Sequence, residues 1–416
     1  MIVDDFKPVL RNRNFLYLWI SQITSQVTIN IMNFVFLVRL FEKTGSAIST
    51  SFLWVAYSLP AILIGPFASA TVDLVDKRKM LIVTNFLQFL TLLLYGLAHK
   101  GNVFLLYEVV FIYSLLNQFY VPSESASLPS LIRKEKLTHA NSLFFLTQQG
   151  SLILGFGVAG ILNGLLGFDR TLYVCAFFLF TAFVSTTFLP ALTTKNIVPK
   201  KFEDAVTRFF GRIAEGYNFI KGQRNVFVPF LLLICFQVAI QIAIIAVPSI
   251  AKNLLAIPLN SAAIYMLVPA GIGAIAGALI LPKLIARGWR KKKVIDNSLL
   301  AVGCLIFALS FIVPLFDYSL RATLSFLSIL IIGLGFVGVV VPSQTFLQES
   351  TPKELRGRVF GNFWFLVTVV SVIPVVFSGT IIEILGVRML LLILSGLSIF
   401  GHFISKKYGD TFLYRT

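Results

Sequence analysis

The sequence predicts an all-α polytopic membrane protein in which twelve transmembrane helices form two pseudo-symmetric six-helix halves. Three observations predict this fold class. Apolar residues make up 57% of the 416 residues and charged residues only 13%, with a mean hydropathy of +0.87, whereas soluble domains carry about 25% charged residues. Apolar runs of about 20 residues, long enough to cross the hydrocarbon core, recur along the chain. Short motifs of the first half also return in the second half.

The predicted spans are read from the apolar runs and from the charged residues, prolines and glycines that interrupt them. Each run must form a helix, because lipid offers no partner to unpaired backbone N–H and C=O groups. The twelve spans lie near residues 14–40, 48–72, 80–98, 103–131, 140–165, 169–191, 226–251, 259–285, 294–315, 322–348, 356–383 and 389–405.

The 35 Lys and Arg residues are distributed unevenly between the two sides of the membrane. The N-terminus, the tail and the loops on their side contain 28 of them, and the opposite loops contain seven. Cytoplasmic loops of membrane proteins are rich in Lys and Arg. We therefore expect both termini in the cytoplasm. Topology and anionic lipid headgroups then account for the net charge of +17 without a nucleic-acid partner.

The predicted boundary between the halves is the polar interval 192–225. It divides the chain into a six-helix half at 1–191, a cytoplasmic linker at 192–225, and a second six-helix half with a short cytoplasmic tail at 226–416. Apolar residues recur at helical spacing within the linker, which predicts an amphipathic helix. That helix either lies in the membrane interface or rests its apolar face on the helix bundle.

The two halves share short motifs at a nearly constant offset. The tripeptide Val-Pro-Ser at 121–123 recurs at 341–343, and the pair Lys-Glu at 134–135 recurs at 353–354. Each match is short, but the matches occur in the same order in both halves. Internal repeats of this kind are typical of secondary transporters, so we predict a duplicated architecture.

The segment GPFASATVDLVDKRKML at 65–81 resembles the motif between the second and third helices of major facilitator transporters. Asp73 stands at the position of the family aspartate, and a basic cluster follows it. The resemblance covers nearly the whole chain in span order and implies alternating access, in which two halves rock about a central cavity. The gating residues that it implies here are Gly65, Asp73, Asp76, Lys77 and Arg78.

The stretches LPSLIRKEKLTHANSL at 128–143 and TPKELRGRVFGN at 351–362 are similar to the branch of this family that contains macrolide-efflux and enterobactin-export proteins. In the second stretch we also expect gating residues, namely Thr351, Glu354, Arg356 and Arg358.

The start of the eleventh helix is predicted from a capping box. Thr351, Pro352 and Glu354 have the spacing of its N-cap, N1 and N3 positions. By family analogy, Asp73 would approach this helix start as a gate latch when the cytoplasmic side is closed. The alternative is that the basic cluster after Asp73 only follows the positive-inside rule.

The fifth predicted span is rich in glycine, and this pattern resembles the glycine-rich motif of exporters. Glycines at helical spacing allow close helix packing in membranes. The resemblance implies an export direction. The packing candidates are Gly155, Gly157, Gly160 and Gly164.

Amide side chains lie inside several spans, where polar residues normally face the bundle interior or water. In the first span they recur four, four and three residues apart and so share one face. The resemblance implies that spans 1, 4, 7 and 10 line the cavity. The amides either contact substrate there or hold helices together through hydrogen bonds. The candidates are Gln22, Gln26, Asn30, Asn33, Asn117, Tyr120, Gln237, Gln241, Gln344 and Gln348.

Two carboxylates inside the fourth span, Glu124 and Glu108, are candidates for proton coupling, because ionisable groups are costly in lipid and are retained for function. Glu124 follows the repeated Val-Pro-Ser, and its counterpart in the second half is the neutral Gln344. Glu108 lies nearer the outer end of the span, where it is either a second coupling residue or the static partner of Arg39.

The sequence excludes several other classes of protein. It has no phosphate-binding loop of an ATP-driven pump, no cysteine or histidine spacing of a metal site, and no clustered catalytic groups. We expect no cofactor and no enzymatic activity. We expect a monomeric transporter in the bacterial cytoplasmic (inner) membrane, surrounded by lipid, that exports a small amphipathic drug or siderophore-like molecule against protons. The alternative is a lysophospholipid flippase or a solute importer with the same fold.

Overall fold

A computed structural model describes residues 7–98, 102–192 and 202–413 of the chain. The regular structure in these ranges is entirely helical. Eleven helices within them are long and apolar enough to cross a membrane, and a twelfth apolar helix, Ala47–Leu63, is shorter. These helices follow the order of the predicted spans, and the all-α polytopic fold class is confirmed.

The first seven helices, labelled α1 to α7, cover the first six predicted spans. A 3-10 turn, Lys134–Lys136, precedes α6. Their bounds are Arg13–Thr44 (α1), Ala47–Leu63 (α2), Gly65–Leu74 (α3), Lys77–Ala98 (α4), Phe104–Leu131 (α5), Leu137–Leu166 (α6) and Phe168–Thr187 (α7).

The remaining helices are α8 to α14. Two π-helical turns, Ile250–Leu255 and Ala263–Leu267, extend α9 and lead into α10. Between them the chain turns at Ala256, which has a left-handed φ of 54°. The bounds are Phe202–Gly222 (α8), Arg224–Ser249 (α9), Val268–Ala286 (α10), Lys291–Phe311 (α11), Tyr318–Glu349 (α12), Lys353–Leu385 (α13) and Val387–Leu413 (α14).

The second predicted span differs from a single continuous helix, because it is divided at Ile64 into α2 and α3. Pro66 falls in the first turn of α3, where the missing N–H of proline needs no partner and the fixed φ suits a helix start. The Ile64 amide still donates to the Pro60 carbonyl over 2.9 Å. The break is therefore a local irregularity within one span.

The described chain forms two compact units. The first unit contains the described residues of 1–43 and 52–210, and the second contains 44–51 and the described residues of 211–416. The division falls inside α8, which occupies the predicted linker. The Asn362 amide of α13 donates to the Ile213 carbonyl of α8 over 2.8 Å and fixes the second part of this helix within its unit. The domain limits 191 and 226 remain a prediction.

Helix α1 is the central helix of the first unit. In an apolar stretch of 18 residues within α1, 61% of the residues are buried, compared with 39% or less in the equivalent stretches of α4 to α7. At its start, Phe15 and Leu18 pack with Leu81 of α4 and Tyr120 of α5 in one apolar cluster. Side chains on several faces of α1 therefore have protein neighbours, which allows it to carry polar groups away from lipid.

In the second unit, small residues bring helices into backbone contact. A Cβ atom on Gly333 of α12 would overlap the backbone of Ala270 in α10, and one on Gly273 would overlap the backbone of Leu330. On α14, the Ser395 hydroxyl donates to the Gly303 carbonyl of α11 over 2.7 Å. Packing of small residues and such hydrogen bonds replace the hydrophobic effect as the force that joins helices in lipid.

The first turn of α2 belongs to the second unit through contacts with the end of α13. The Glu383 carboxylate accepts hydrogen bonds from the Ser46 hydroxyl over 2.7 Å and from the Ile48 amide over 3.2 Å. Gly379, one turn earlier on α13, leaves no room for a Cβ against Ala47 and Ser51. A carboxylate at a helix start is stabilised by the free amides and the helix dipole, so this contact anchors the start of α2.

The α10–α12 contact predicts a difference between two glycine substitutions. We expect Gly333→Ala to lower the free energy of unfolding by about 1–3 kcal/mol, because the added methyl group overlaps backbone atoms. Gly396→Ala is the matched control, since a Cβ atom there would meet no described atom of another helix within 4 Å. Thermal unfolding of both variants in detergent tests this. Equal midpoints would contradict the close approach of α10 and α12.

Candidate functional site

Glu124 on α5 is a carboxylate in the interior of the first unit, and its side chain is 5% exposed. The Tyr120 hydroxyl, one turn earlier on the same helix, donates to its Oε1 atom over 2.8 Å. Residues four apart on a helix lie on the same face, so α5 alone positions this bonded pair. Within the described residues, this hydroxyl is the hydrogen-bond donor to the carboxyl group.

The pair is connected to α1 and α4 through further buried polar groups. The Tyr120 hydroxyl and the Ser21 hydroxyl of α1 are 3.2 Å apart. On α4, the Asn85 amide donates to Ser21 Oγ over 3.1 Å, and its carbonyl oxygen accepts a bond of 3.3 Å from the Ser25 hydroxyl. These side chains are all buried. We call Glu124, Tyr120, Ser21, Ser25 and Asn85 the Glu124 network.

The Glu124 network consists of one carboxyl, three hydroxyls and one amide. Hydroxyl groups both donate and accept hydrogen bonds, so Tyr120 can donate to a carboxylate and can accept from a protonated carboxyl. A buried charge is costly unless it is paired or well hydrogen-bonded, and no cation belongs to the network. The Tyr120 hydroxyl can therefore serve as a hydrogen-bond partner to either protonation state of the Glu124 carboxyl.

The repeated Val-Pro-Ser motif has the same local structure in both halves. Ser123 on α5 donates to the Phe119 carbonyl over 2.7 Å, and Ser343 on α12 donates to the Val339 carbonyl over 2.7 Å. Both serine side chains are buried. The residue after each serine differs, since Glu124 is ionisable and Gln344 is not. The duplication thus preserves the helix and its proline, whereas the carboxyl is present in the first half alone.

The amide stripe of α1 divides into two kinds of position. Gln22 donates to the Phe144 carbonyl of α6 over 3.3 Å, and Asn30 lies where a Cβ on Gly155 of α6 would meet its own Cβ at 2.5 Å. The Gln22 bond joins α1 to α6, whereas the Asn30 amide donates to the Gln26 carbonyl of its own helix over 2.8 Å and Asn30 packs against α6 beside Gly155. Both contacts favour the helix-packing alternative over contact with substrate. Gln26 and Asn33 are half-buried and remain candidates for contact with substrate.

The other cavity candidates are mostly half-buried. Asn117 on α5 is a hydrogen-bonding neighbour of the Tyr57 hydroxyl of α2. On α9, Gln237 and Gln241 are half-buried, and Gln241 Oε1 is buried without a hydrogen-bond partner among the described residues. On α12, Gln344 is half-buried and Gln348 is exposed. Each unit therefore contains amide candidates of its own, and Tyr120 belongs to the Glu124 network.

Glu108 does not pair with Arg39. Both residues are described, and no ion pair joins them. Glu108 is exposed on α5, and the Arg39 guanidinium carbon instead lies 4.9 Å from the centre of the Phe168 ring. A guanidinium over an aromatic face is a favourable contact. Arg39 is therefore not the static ion-pair partner of Glu108 in this structure. The role of Glu108 in coupling stays a prediction.

The predicted gating residues of the first half cap α4 and connect it to neighbouring segments of the first unit. Asp76 directly precedes α4, and its carboxylate accepts from the Arg78 amide over 2.8 Å, as an N-cap residue does. The Arg78 guanidinium donates to the Thr187 carbonyl at the end of α7 over 2.6 Å. Lys77 is buried, and a Cβ on Gly65 would meet the Gln118 amide of α5 at 3.4 Å.

The capping-box prediction at Thr351 is wrong by one residue. Helix α13 begins at Lys353, with Pro352 in the N-cap position. The Thr351 hydroxyl donates back to the Leu347 carbonyl of α12 over 2.6 Å, and the Arg356 guanidinium donates to the Thr351 carbonyl. Thr351 thus completes the end of α12 instead of starting α13, because its hydroxyl satisfies a free carbonyl there.

Three gating side chains, those of Asp73, Glu354 and Arg358, lie outside the described part of the structure. The latch between Asp73 and the eleventh span therefore stays a prediction. Among the predicted packing glycines of α6, Gly155, Gly157 and Gly160 are buried and Gly164 is exposed.

Sequence reasoning missed three members of the Glu124 network, namely Ser21, Ser25 and Asn85. For Asn85 the available signal was the set of polar residues at helical spacing in the third span, which is otherwise apolar, and Ser21 and Ser25 lie four residues apart in the first span. The structure brings that face of α4 to α1 and α5, and the polar side chains then find one another.

A helical membrane protein with two compact units and isolated polar groups inside its helices has the construction of a secondary transporter. The family model of the Major Facilitator Superfamily matches residues 18–375. The chain belongs to the major facilitator superfamily and is a multi-pass membrane transporter, not an enzyme.

The relatives include efflux proteins. The chain is 24% identical to the MFS-type transporter YfiS of Bacillus subtilis over 93% of this chain and 91% of that protein. It is 21% identical to the multidrug efflux pump Tap of Mycolicibacterium fortuitum over 88% of both chains. Macrolide efflux protein A of Streptococcus pyogenes is 29% identical over 36% of this chain and 37% of that protein. These relatives confirm the resemblance to the macrolide-efflux branch.

Solved structures of transporters share the fold. The nucleoside transporter NupG superposes with a TM-score of 0.73 and 14% identity, over 97% of this chain and 100% of that one. At this identity the likeness establishes the fold alone.

The Tyr120–Glu124 bond predicts a stability difference. We expect Tyr120→Phe to lower the free energy of unfolding by about 1–3 kcal/mol, because it removes the donor from a buried carboxyl group. Glu124→Gln should be tolerated, since an amide oxygen accepts the same hydrogen bond. Tyr318→Phe is the control at a position that is 55% exposed. Thermal unfolding in detergent measures the differences, and a Tyr120→Phe protein as stable as the control would contradict the role of this bond.

Proposed function

We propose that this chain is a proton-coupled exporter, an antiporter that moves a small amphipathic compound outward by alternating access as protons move inward. The observation that carries the proposal is the buried Glu124 carboxyl with its hydroxyl partners. The efflux relatives support the direction. A drug or a siderophore-like molecule is the substrate class that we propose.

Coupling requires a group whose charge changes during the cycle while it stays near the transport route. Glu124 meets the first requirement because its neighbours in the network are neutral and can adapt to either protonation state. Movement of one proton across about 100 mV provides about 2.3 kcal/mol. Since about 1.4 kcal/mol corresponds to a tenfold concentration ratio, one proton can sustain roughly a 50-fold gradient of an uncharged substrate.

Substrate recognition in this proposal uses amides and aromatic rings instead of charges. The unpartnered Gln241 Oε1 is an acceptor that a substrate donor can satisfy, and Gln26, Asn33, Asn117 and Gln237 are half-buried groups of the same chemistry. Pockets with apolar walls and a few polar groups suit amphipathic ligands. These residues are proposed contacts, and Gln22 and Asn30 are assigned to helix packing.

Glu124→Gln should abolish pH-gradient-driven export, because the amide cannot exchange the proton. The test uses proteoliposomes with an imposed pH gradient and a radiolabelled macrolide, and pump-deficient cells that accumulate the same compound. The wild-type protein should lower accumulation in cells, and a protonophore should remove the effect.

The matched control for this experiment is Glu42→Gln, which removes an exposed carboxylate near the end of α1 and should transport as the wild type does. Undiminished gradient-driven export by the Glu124→Gln protein would refute coupling at Glu124. Higher accumulation in cells that express the wild-type protein would refute export and indicate an importer.

The charge distribution also supports a membrane orientation. We propose that both termini lie on the cytoplasmic side of the bacterial inner membrane, with the chain as a monomer and 192–225 as the cytoplasmic linker. A green fluorescent protein fused after residue 416 should fluoresce, because the protein folds in the cytoplasm and not after export through the secretion pathway. An active alkaline phosphatase fusion at the same position would contradict this orientation.

A further inference from the structure

Two stripes of buried residues face each other along α1 and α4. Within each stripe the residues are three or four apart, so they lie on one face of the helix. The stripe on α1 consists of Ser21, Ser25, Thr28, Met32 and Phe36, and the stripe on α4 consists of Leu81, Asn85, Gln88, Leu92 and Tyr95.

The two helices run in the same direction with a fixed register. Ser25 and Asn85 are joined by a hydrogen bond, and ten or eleven residues further along the Phe36 and Tyr95 rings are 5.5 Å apart. Thr28 and Gln88 each lie three residues beyond the first contact. They are therefore at the same level of the two stripes.

Thr28 and Gln88 have unsatisfied polar atoms. Gln88 is 1% exposed, and neither its Oε1 nor its Nε2 atom has a hydrogen-bond partner among the described residues. Thr28 is fully buried, and its Oγ1 atom is likewise without a partner there. Most buried polar groups in proteins have a partner in protein or in ordered water. Two such groups on facing stripes at one level point to a shared ligand.

The chemistry of this position suits water. A buried water makes about three hydrogen bonds to polar groups that otherwise lack partners, and Thr28 and Gln88 together offer donors and acceptors for it. Neither stripe carries an acidic residue that would balance a metal cation. Met32 and Leu92, one turn further along, are apolar and fully buried. The polar part of the two stripes therefore ends at the level of Thr28 and Gln88.

The level of Thr28 is one turn from the Glu124 network. Ser25 belongs to both, since it donates to Asn85 Oδ1 over 3.3 Å and lies near the Tyr120 hydroxyl. A proton can pass along hydroxyls and water because each accepts one proton as it gives up another. A water bound at Thr28 would connect this level to Ser25, and from there the hydroxyls of Ser25 and Tyr120 lead to Glu124 without passing through the Asn85 amide.

The other ionisable groups lie near the ends of the stripes. Lys77 is one turn before Leu81 on α4, and Arg39 and Asp169 are close to Tyr95 at the opposite end. Tyr120 and Glu124 lie at the Ser21 end of the stripes, where the Tyr120 hydroxyl contacts Ser21 and donates to Glu124.

We propose that α1 and α4 enclose a water-binding site between Thr28 and Gln88, and that protons travel to and from Glu124 through this water. The second part rests on the proposed coupling role of Glu124. The first part is a statement about binding and stands independently of it.

The water site is tested by radiolytic hydroxyl-radical labelling of the full-length protein in detergent. Radicals formed from a bound water oxidise neighbouring side chains, and Met32 is a fully buried reporter one turn from Thr28. We expect Met32 to be oxidised in the wild-type protein and at least fivefold less in Gln88→Leu. Met266, which is 6% exposed in the second unit, is the internal control and should react equally in both proteins.

The proton path is tested by transport of a radiolabelled macrolide in proteoliposomes. We expect Thr28→Val and Gln88→Leu each to slow pH-gradient-driven transport at least tenfold and to leave macrolide exchange at equal pH unchanged. Thr91→Val is the matched control, because the Thr91 hydroxyl already donates to the Leu87 carbonyl of its own helix over 2.7 Å.

The outcomes separate the two parts of the proposal. Equal Met32 oxidation in wild-type and Gln88→Leu proteins would overturn the water site. Gradient-driven transport at the wild-type rate in both stripe variants would overturn the proton path. If Glu124→Gln retains gradient-driven transport while Met32 oxidation still depends on Gln88, the coupling function and the path through the water both fail, and the water site is supported.

Discussion

The absence of hydrogen-bonding partners in lipid is the constraint on which the rest of this structure depends. Every backbone group in the hydrocarbon core must be satisfied within the protein, which makes each spanning segment a helix. The same constraint acts on side chains, since a polar group that faces lipid has nothing to bond to. Polar residues are therefore placed where helices meet, and the interior of the first unit is the clearest example.

The Glu124 network shows how this constraint can serve function. Helix α1 is central in its unit, so its Ser21 and Ser25 can meet polar groups from α4 and α5 at once. Their hydroxyls adapt to donors and acceptors alike, and the carboxyl of Glu124 is thereby tolerated in a place where an isolated charge would be costly. The corresponding position of the second half, Gln344, lacks this chemistry. Duplication has supplied two similar helices, and only α5 carries a carboxyl directly after the repeated Val-Pro-Ser motif.

Much of the fold could be predicted from the sequence because the membrane makes the signal simple. A run of about 20 apolar residues has one structural solution, so the spans follow from hydropathy. The helix ends were less predictable. Thr351 has the residue type and spacing of a capping box, but its hydroxyl bonds to the preceding helix instead. The division of the second span at Ile64 could likewise not be predicted from the sequence, because it depends on local backbone geometry around Pro66.

The site was predicted in part. Glu124 stood out because a carboxyl is rare in a spanning segment, and Tyr120 was among the candidates. The sequence by itself determined the all-helical membrane fold, the repeat and the position of the one carboxyl that follows the repeated motif, because these depend on composition and spacing along the chain. Only the tertiary structure decided that α4 supplies Asn85 and Gln88, that Gln22 and Asn30 pack against α6, and that Arg39 turns to Phe168. These outcomes depend on which helix faces meet, and the faces of a helix are brought together by contacts between residues far apart in sequence.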